Sequence, residues 1–579
     1  MPWHEGGGPV HGAGVTDTRL RVLIIGGYGA FGGRLAALLA DRAGLTLLVA
    51  GRSREKAVTF CAGLAAAARL EPCAFDRNGD VEARIAALRP DIVVDASGPF
   101  QAYGADPYRV ARAALAAGAS YMDLADGSDF VAGIVALDDT AKRRGLFALS
   151  GVSSYPVLSF AAVRRLSGDL ATVERFATGI APSPRARLGL GVIRAIASYA
   201  GRPVSRLRDG RPSRGFGLIE ARRFTVAPPG VRPLASIRFT LVDEPDLRLL
   251  PAQRPALRDT WAGAGPTPEI LHRGLSALAW LVRLRLLPSL QPLAPLFHFA
   301  SDALGWGPHR SGMFVAIEGR TVQGETMRRS WHLLAEGADG PMIPSMAVAA
   351  LVRRILDGVT PAPGARPATD ELELADYAPL FAGRRIFGGV RDDGPGTQAL
   401  PLYPRLLGDA WAALPAPVRA LHEAGPLMAA TGLATVERGR NPLARLVAAL
   451  FRFPRAGVDV PVRVEIAAAN GRETWRRDFA GRRFASTQEA GTGRFERLVV
   501  ERFGPFAFGL APVVETGRLR LVPCRWTLCG LPMPRALVPR GDAFEAVEDG
   551  RFAFDVEIAL PLIGRVVRYR GRLQQSAAR

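Results

Sequence analysis

The spacing best suited to chemistry is Gly27-Tyr28-Gly29-Ala30-Phe31-Gly32. A G-x-G-x-x-G pattern suits a diphosphate. The first glycine permits a tight turn, the second lets the backbone approach a pyrophosphate, and the third lets a helix pack closely on a strand. The apolar run Val22 to Ile25 precedes the glycines. Arg34 to Arg42 follows, with Leu35, Leu38 and Leu39 at helical spacing. This order aims free N–H groups and the positive end of a helix at the phosphates. A second apolar run, Leu45 to Ala50, ends about 20 residues on, where a ribose-reading side chain belongs. There the chain reads Gly51-Arg52-Ser53-Arg54, with no carboxylate before Glu55. Two guanidiniums and a hydroxyl suit a 2′-phosphate, so NADP is expected over NAD. The alternative is that Arg52 and Arg54 are solvated residues opening a helix.

The elements that must position these residues continue the alternation. Cys73 to Asp76 closes a third strand, with Asp76 near the adenine edge. Asp91 to Ala96 is a fourth and runs into Ser97-Gly98-Pro99-Phe100. Asp106-Pro107 opens a helix with a capping side chain and a proline in its first turn. Ser120 to Leu124 reads as strand five, Asp129 to Arg143 as a helix, and Leu146 to Ser150 as strand six. Such a series folds as α/β, a doubly wound Rossmann domain over residues 20–150 whose ligand lies beyond the strand carboxyl ends.

Within this frame the segment Val93-Val-Asp-Ala-Ser-Gly98-Pro99-Phe100-Gln-Ala-Tyr103-Gly104 resembles a V-x-x-x-x-G-P-[YF]-x-x-Y-G motif of the saccharopine dehydrogenase-like oxidoreductases. Ser120-Tyr121-Met122-Asp123-Leu124-Ala125-Asp126-Gly127-Ser128 is similar to their H-Y-x-D-L-x-G-E, and Gly151-Val-Ser-Ser154-Tyr155-Pro156 to their G-[FV]-x-S-x-P. The likeness is good over about residues 20–160 and loose over 170–385. It implies an NAD(P)-binding domain with Gly27, Gly29, Phe31, Gly32, Arg52 and the turn Ser97, Gly98, Pro99 around the cofactor, Ala30 lying within the same glycine turn. Ser128 stands where the family usually has glutamate, and its amino-acid-binding pattern cannot be placed here. The resemblance therefore implies an oxidoreductase domain and not saccharopine as substrate.

Hydride transfer needs a cofactor carbon, an oriented carbonyl, imine or alkene, and a proton. Tyr103 and Asp126 are the titratable residues near the strand ends that could move that proton. Against these roles stand a packing aromatic and a solvated turn residue. Lys56 and Lys142 have no tyrosine four positions before them, which excludes the Y-x-x-x-K pair. No G-x-S-x-G elbow or Walker loop occurs either. Four cysteines without a C-x-x-C pair and seven scattered histidines point to no metal site, and so few thiols fit a reducing cytoplasm.

With 579 residues the chain needs several domains. Residues 1–19 read as a flexible lead-in without the pattern of a signal peptide, 151–387 as a mixed α+β domain, 388–400 as a linker, and 401–579 as a mainly antiparallel β domain. In the resembled family the mixed region covers the nicotinamide end of the cleft and defines the substrate. Its apolar stretch Leu275 to Phe299, interrupted by Arg283, Arg285 and Pro288, is too broken to span a bilayer. It is expected as a buried helix pair, or else as a membrane-surface element touching a lipid-like substrate. In the last domain Tyr403 to Leu450 reads as helical or irregular. Val460, Val462, Val464 and Ile466 then alternate, as do Phe552 to Leu560, giving a curved or barrel-like sheet. Leu402 to Gly408 and Pro561 to Tyr569 resemble a domain of unknown function fused behind such oxidoreductases.

The net charge of +20 comes from 74 basic against 54 acidic residues, and all but two of the basic residues are arginine, spread along the chain. Without a basic run or a charged face, this argues against nucleic acid as partner. Two functions remain open. One is an NADP-dependent oxidoreductase acting on a small or lipid-like substrate. The other is a non-catalytic, nucleotide-responsive protein whose C-terminal β module holds a ligand.

Overall fold

The computed structural model describes residues 19–186, 189–303, 305–423 and 427–576. All but the last residue of the expected lead-in therefore lies outside the described residues. The chain divides into two compact units, one with residues up to 158 and 342–380, the other with 159–341 and 381 onward.

The first unit is built on a wholly parallel sheet. Its strands are β1 (Leu20–Ile25), β2 (Leu45–Gly51), β3 (Arg69–Ala74), β4 (Ile92–Asp95), β5 (Ser120–Asp123) and β6 (Phe147–Ser150). Their spatial order is β3-β2-β1-β4-β5-β6, which reverses between β1 and β4. Every residue of β2 and β4 is buried, as continuous apolar runs covered on both faces must be. Helices α1 (Gly32–Leu39), α2 (Arg54–Ala62), α3 (Val81–Leu88), α4 (Arg109–Ala116) and α5 (Ser128–Gly133) supply the crossovers.

A seventh strand, Gly364–Pro367, joins parallel to β6, and helix Ile343–Leu356 packs on α1, with Arg353 bonded to Asp41 at 2.9 Å. Residues 342–380, expected in the mixed domain, thus belong with the first sheet. The helix there is buried from Ser345 to Val352, so it needs a broad apolar surface such as α1 offers.

The second unit contains two large sheets and a two-stranded one, Pro203–Arg208 with Arg211–Phe216. A mixed, curled seven-stranded sheet runs in the order Ala221–Val226, Leu234–Leu241, Asp259–Ala264, Thr172–Ala181, Arg310–Arg320, Thr326–Glu336, Ile386–Asp392. Strands Arg310–Arg320 and Thr326–Glu336 form a hairpin, with Met313 opposite Leu333 and Glu318 opposite Arg328. The last strand occupies the first part of the expected linker, because its backbone completes the edge of the hairpin.

The apolar stretch forms helices Glu269–Arg283 and Ala294–Ala303, and the expected burial is only half met. Ala279, Val282, Leu290 and Ala294 are buried, but Trp280, Leu284, Leu286, Leu296 and Phe299 are each at least 50% exposed. Apolar residues on every face of a helix cannot all turn toward one core.

The C-terminal region closes into a ten-stranded antiparallel barrel. Strand Phe506–Glu515 pairs on one side with Val499–Phe503 and on the other with Arg518–Leu528. The alternating strands Gly457–Ala469, Arg551–Leu560 and Gly564–Ser576 point Val462, Val464, Ile466, Phe552, Phe554, Val567, Tyr569 and Leu573 inward. One strand corrects the expectation of a helical or irregular stretch up to Leu450. Leu427–Arg438 lies between Gly457–Ala469 and Gly564–Ser576. Its middle is rich in Ala and Gly, and at Gly432 the neighbouring strand presses close: a Cβ there would lie 1.9 Å from the Arg572 carbonyl oxygen. Cys524 lies on strand Arg518–Leu528, and Cys529 sits in the turn after it.

Candidate active site

The glycine turn joins β1 to α1 at the point where the strand order reverses. Gly26 carries the left-handed φ of +78°, so the tight turn rests on Gly26 and not on Gly27 as expected. Gly27 instead serves close approach, since its Cβ would meet the Ile24 oxygen at 2.8 Å and the Ala50 nitrogen at 3.0 Å. At Gly32 a Cβ would lie 2.3 Å from the Gly26 oxygen, so helix and strand can touch only through hydrogen. At Gly29 the Gly26 carbonyl alone is near, leaving the outer side open. The amides of Gly27 and Gly29 are bonded within the fold, while those of Ala30 and Phe31 make no backbone hydrogen bond among the described residues. This rim fits a diphosphate.

At the end of β2, Arg52 and Arg54 are exposed and neither forms an ion pair among the described residues. Ser53 caps α2: its hydroxyl accepts the Lys56 amide at 3.2 Å and donates to Glu55 at 2.8 Å. Tyr28, which sequence reasoning left unassigned, lies over Gly51 and accepts the Ser53 amide at 3.0 Å. It ties the glycine turn to the opening of α2. Asp76 is exposed two residues beyond β3, where its carboxylate accepts the Asn78 amide at 3.0 Å.

On the other side of the reversal, β4 ends in the fully buried Asp95. One carboxylate oxygen accepts the Ser97 hydroxyl at 2.6 Å and the Ser97 amide at 3.0 Å, and the other accepts the Tyr103 hydroxyl at 2.7 Å. Arg77 donates to the Ser97 carbonyl at 3.2 Å and lies 4.1 Å from the centre of the Tyr103 ring. Phe100 stacks on the same ring at 4.9 Å. A Cβ on Gly26 would come within 3.3 Å of Ser97, so the turn through Ser97, Gly98 and Pro99 borders the glycine turn. Burial pushes Asp95 up, partly offset by its bonds to Ser97 and Tyr103. Burial and the Asp95 charge push Tyr103 above the usual phenol range.

Asp123, opposite Asp95 on β5, is likewise fully buried. It accepts the Gly151 and Ala125 amides at 2.8 and 3.0 Å and the Ser150 hydroxyl at 3.0 Å. Burial outweighs these donors and pushes it up to about 7. Asp126 is half-buried, and burial pushes it up too, while Gln101 donates to one of its oxygens at 2.9 Å. Gln101 links it to the same turn as Tyr103. Arg52 and Arg54 stand three strand spacings away, about 14 Å across the sheet.

The carboxylates Asp95 and Asp123 escaped sequence reasoning. For Asp95 the signal was present, since it ends the apolar run Ile92 to Val94, whereas Asp123 follows the mixed Ser120, Tyr121 and Met122. Among the described residues no group of three or more His, Cys, Asp or Glu gathers to hold a metal ion, and no helix is long and apolar enough to cross a membrane.

Residues 22–149 match the family model of the saccharopine dehydrogenase NADP binding domain. Residues 414–573 match a domain of unknown function, DUF4166. The chain carries both domains. Its first unit therefore has the NAD(P)-binding fold of the saccharopine dehydrogenase-like oxidoreductases.

No curated protein matches the chain. Among solved structures it is similar to the apo, histidine-tagged saccharopine dehydrogenase (L-Glu forming) of Saccharomyces cerevisiae, with 14% identity over 64% of this chain and 99% of that one and a TM-score of 0.45. A probable dehydrogenase of Thermotoga maritima is 10% identical over 60% of this chain and 91% of its own, with a TM-score of 0.30. The WlbA (WbpB) dehydrogenase of Thermus thermophilus, in complex with NAD and alpha-ketoglutarate, is 14% identical over 62% and 94%, with a TM-score of 0.28.

Proposed function

We propose that the protein is an NADP-dependent oxidoreductase that reduces or oxidises a small or lipid-like substrate at a carbonyl, imine or alkene. The observation that carries this reading is the pair of exposed guanidiniums of Arg52 and Arg54 at the end of β2, with no carboxylate to read a free ribose. They would hold the 2′-phosphate, which a planar guanidinium recognises with two parallel bonds. Ser53 acts through them by capping α2, and Asp76 borders the adenine. The open face of Gly29 and the amides of Ala30 and Phe31 would receive the diphosphate, and Ser97, Gly98 and Pro99 the middle of the cofactor.

When bound, the nicotinamide supplies or accepts hydride, and the rest of the chemistry is orientation and proton movement. The two titratable candidates divide this work. Tyr103 has its proton committed to the buried Asp95, so it acts as a positioning residue that holds the Ser97 turn in shape. Asp126 has one oxygen fixed by Gln101 and lies partly open to solvent, which suits it to hold or release the proton.

The test is a fluorescence titration of the full chain with NADPH and NADH. Binding of NADPH should be at least tenfold tighter. Arg52→Ala and Arg54→Ala should each weaken NADPH by about 10–100-fold, as loss of a charge-assisted bond does, and leave NADH unchanged. Equal loss for both cofactors, or no NADPH binding by intact protein, would overturn the reading.

A further inference from the structure

The barrel encloses a cavity of about 390 Å³ that has no part in the cofactor site. Barrels of about eight strands fill with their own side chains or hold one small ligand, and the diameter grows with strand number. Ten strands leave room here, even though Phe479 and Phe484, on neighbouring strands, and Tyr569 crowd one another at 5.3–6.4 Å. The lining is overwhelmingly apolar, with Phe508, Leu510, Leu521, Phe554 and Val556 among it. Lining residues that are themselves exposed gather at Leu450, Leu537 and Arg540, which marks the mouth, whereas Tyr403, Trp475 and Gln488 are buried at the far side.

The polar groups of the interior select the ligand. Each charge is matched inside the barrel. Arg477 pairs with Glu501 at 3.5 Å and donates to Ser486 at 2.9 Å, and Ser486 donates to Glu501 at 2.7 Å. His422 bonds Glu545 at 2.6 Å. Glu473 accepts the Trp475 indole at 3.0 Å, and burial pushes its carboxyl up, toward the neutral form. Tyr403 donates to Gln488 at 2.8 Å. Glu557, the third lining carboxylate, pairs with Arg565 at 3.3 Å. The lining thus holds Glu501, Glu545 and Glu557 against one unexposed cation, Arg477, so a ligand carboxylate would enter a dry space without a cation of its own. An unpaired charge there is strongly disfavoured. Arg540, exposed at the mouth, is screened by water.

We infer that the barrel is a binding site for one neutral, elongated apolar molecule, a medium-length alkyl or isoprenoid chain ending in an uncharged polar group. A cavity of ~150 Å³ holds one benzene ring, which scales to roughly fifteen carbon-sized atoms here. The uncharged end would exchange hydrogen bonds with Tyr403 and Gln488, the pair that lines the cavity without a net charge.

The experiment uses the full chain with Nile red as a neutral reporter, displaced by straight-chain 1-alkanols of increasing length and by the matching alkanoates. Saturable displacement at one site is expected. Affinity should rise about fourfold per methylene and then level off once the chain fills the cavity. Alkanoates should bind at least tenfold more weakly than alkanols of equal length. Val556→Trp fills the space and should abolish uptake without moving the melting midpoint; if that variant does not fold, Leu510→Phe takes its place with the same expectation.

Excess NADPH should leave the Nile red signal unmoved, which separates this site from the cofactor site. Alkanoates binding as tightly as alkanols would overturn the neutral ligand. Absence of saturable uptake, or uptake unchanged in a folded, filled variant, would overturn the site itself.

Discussion

The rim of the first sheet and the interior of the barrel both hold buried acids, yet they handle them in opposite ways. At the rim, Asp95 and Asp123 end adjacent strands and spend their oxygens on uncharged donors: Ser97 and Tyr103 for one, Ala125, Ser150 and Gly151 for the other. Both serve to shape turns, and the surface they shape is backbone. In the barrel, Glu501 and Glu545 instead answer Arg477 and His422, and the surface they complete is side chain. A rim of backbone groups suits a ligand whose phosphates want N–H donors. A closed interior with matched charges suits one that wants none.

The sharpest way to break this contrast is Gly432→Val. A side chain there meets the Arg572 carbonyl across the closing strands, and overpacking against backbone should cost about 3 kcal/mol. Calorimetry should show the barrel melting earlier while NADPH affinity stays unchanged; loss of both would mean that the two regions fold as one.

Tyr103→Phe should come next. It leaves the buried Asp95 one donor short and should cost about 1–3 kcal/mol of stability in the first unit. If Tyr103 is a positioning residue, cofactor affinity falls with that stability. Loss of turnover at unchanged stability and affinity would make it the proton donor instead.

The smallest effect is expected from pH. Burial alone would push the His422 imidazole down, but the Glu545 carboxylate more than offsets this and holds it above its usual value. A group raised on folding contributes stability that is complete below the unfolded value of about 6.5 and lost as pH rises through the folded one. The barrel should therefore melt a few degrees higher at about pH 6 than at about pH 9, and His422→Gln should flatten that slope. An equal slope in the variant would assign the dependence to other groups.

Much of the first region is legible in the amino-acid sequence. The glycine motif, the strand before it and the arginines at the end of the next strand all fall between Leu20 and Arg54, so local order carries the site. Even there, Tyr28 and Gly26 take roles that spacing does not assign, because which glycine turns left and which ring covers Gly51 depend on the neighbouring strands. The alternation of Val460 to Ile466 and Phe552 to Leu560 announces a curved sheet. Its tenth strand, Leu427–Arg438, carries no such signal, since Gly432 and the alanines around it fit one partner beyond the next helix and another more than a hundred positions away.

By itself the amino-acid sequence determined the parallel sheet, the glycine turn and the arginine pair, because backbone geometry and side-chain period act over a few residues. Only tertiary structure decided that residues 342–380 rejoin the first sheet, that Tyr103 donates its hydroxyl to Asp95, and that the barrel closes around a cavity with its charges paired. Those outcomes depend on burial, and burial is a property of which distant segments meet.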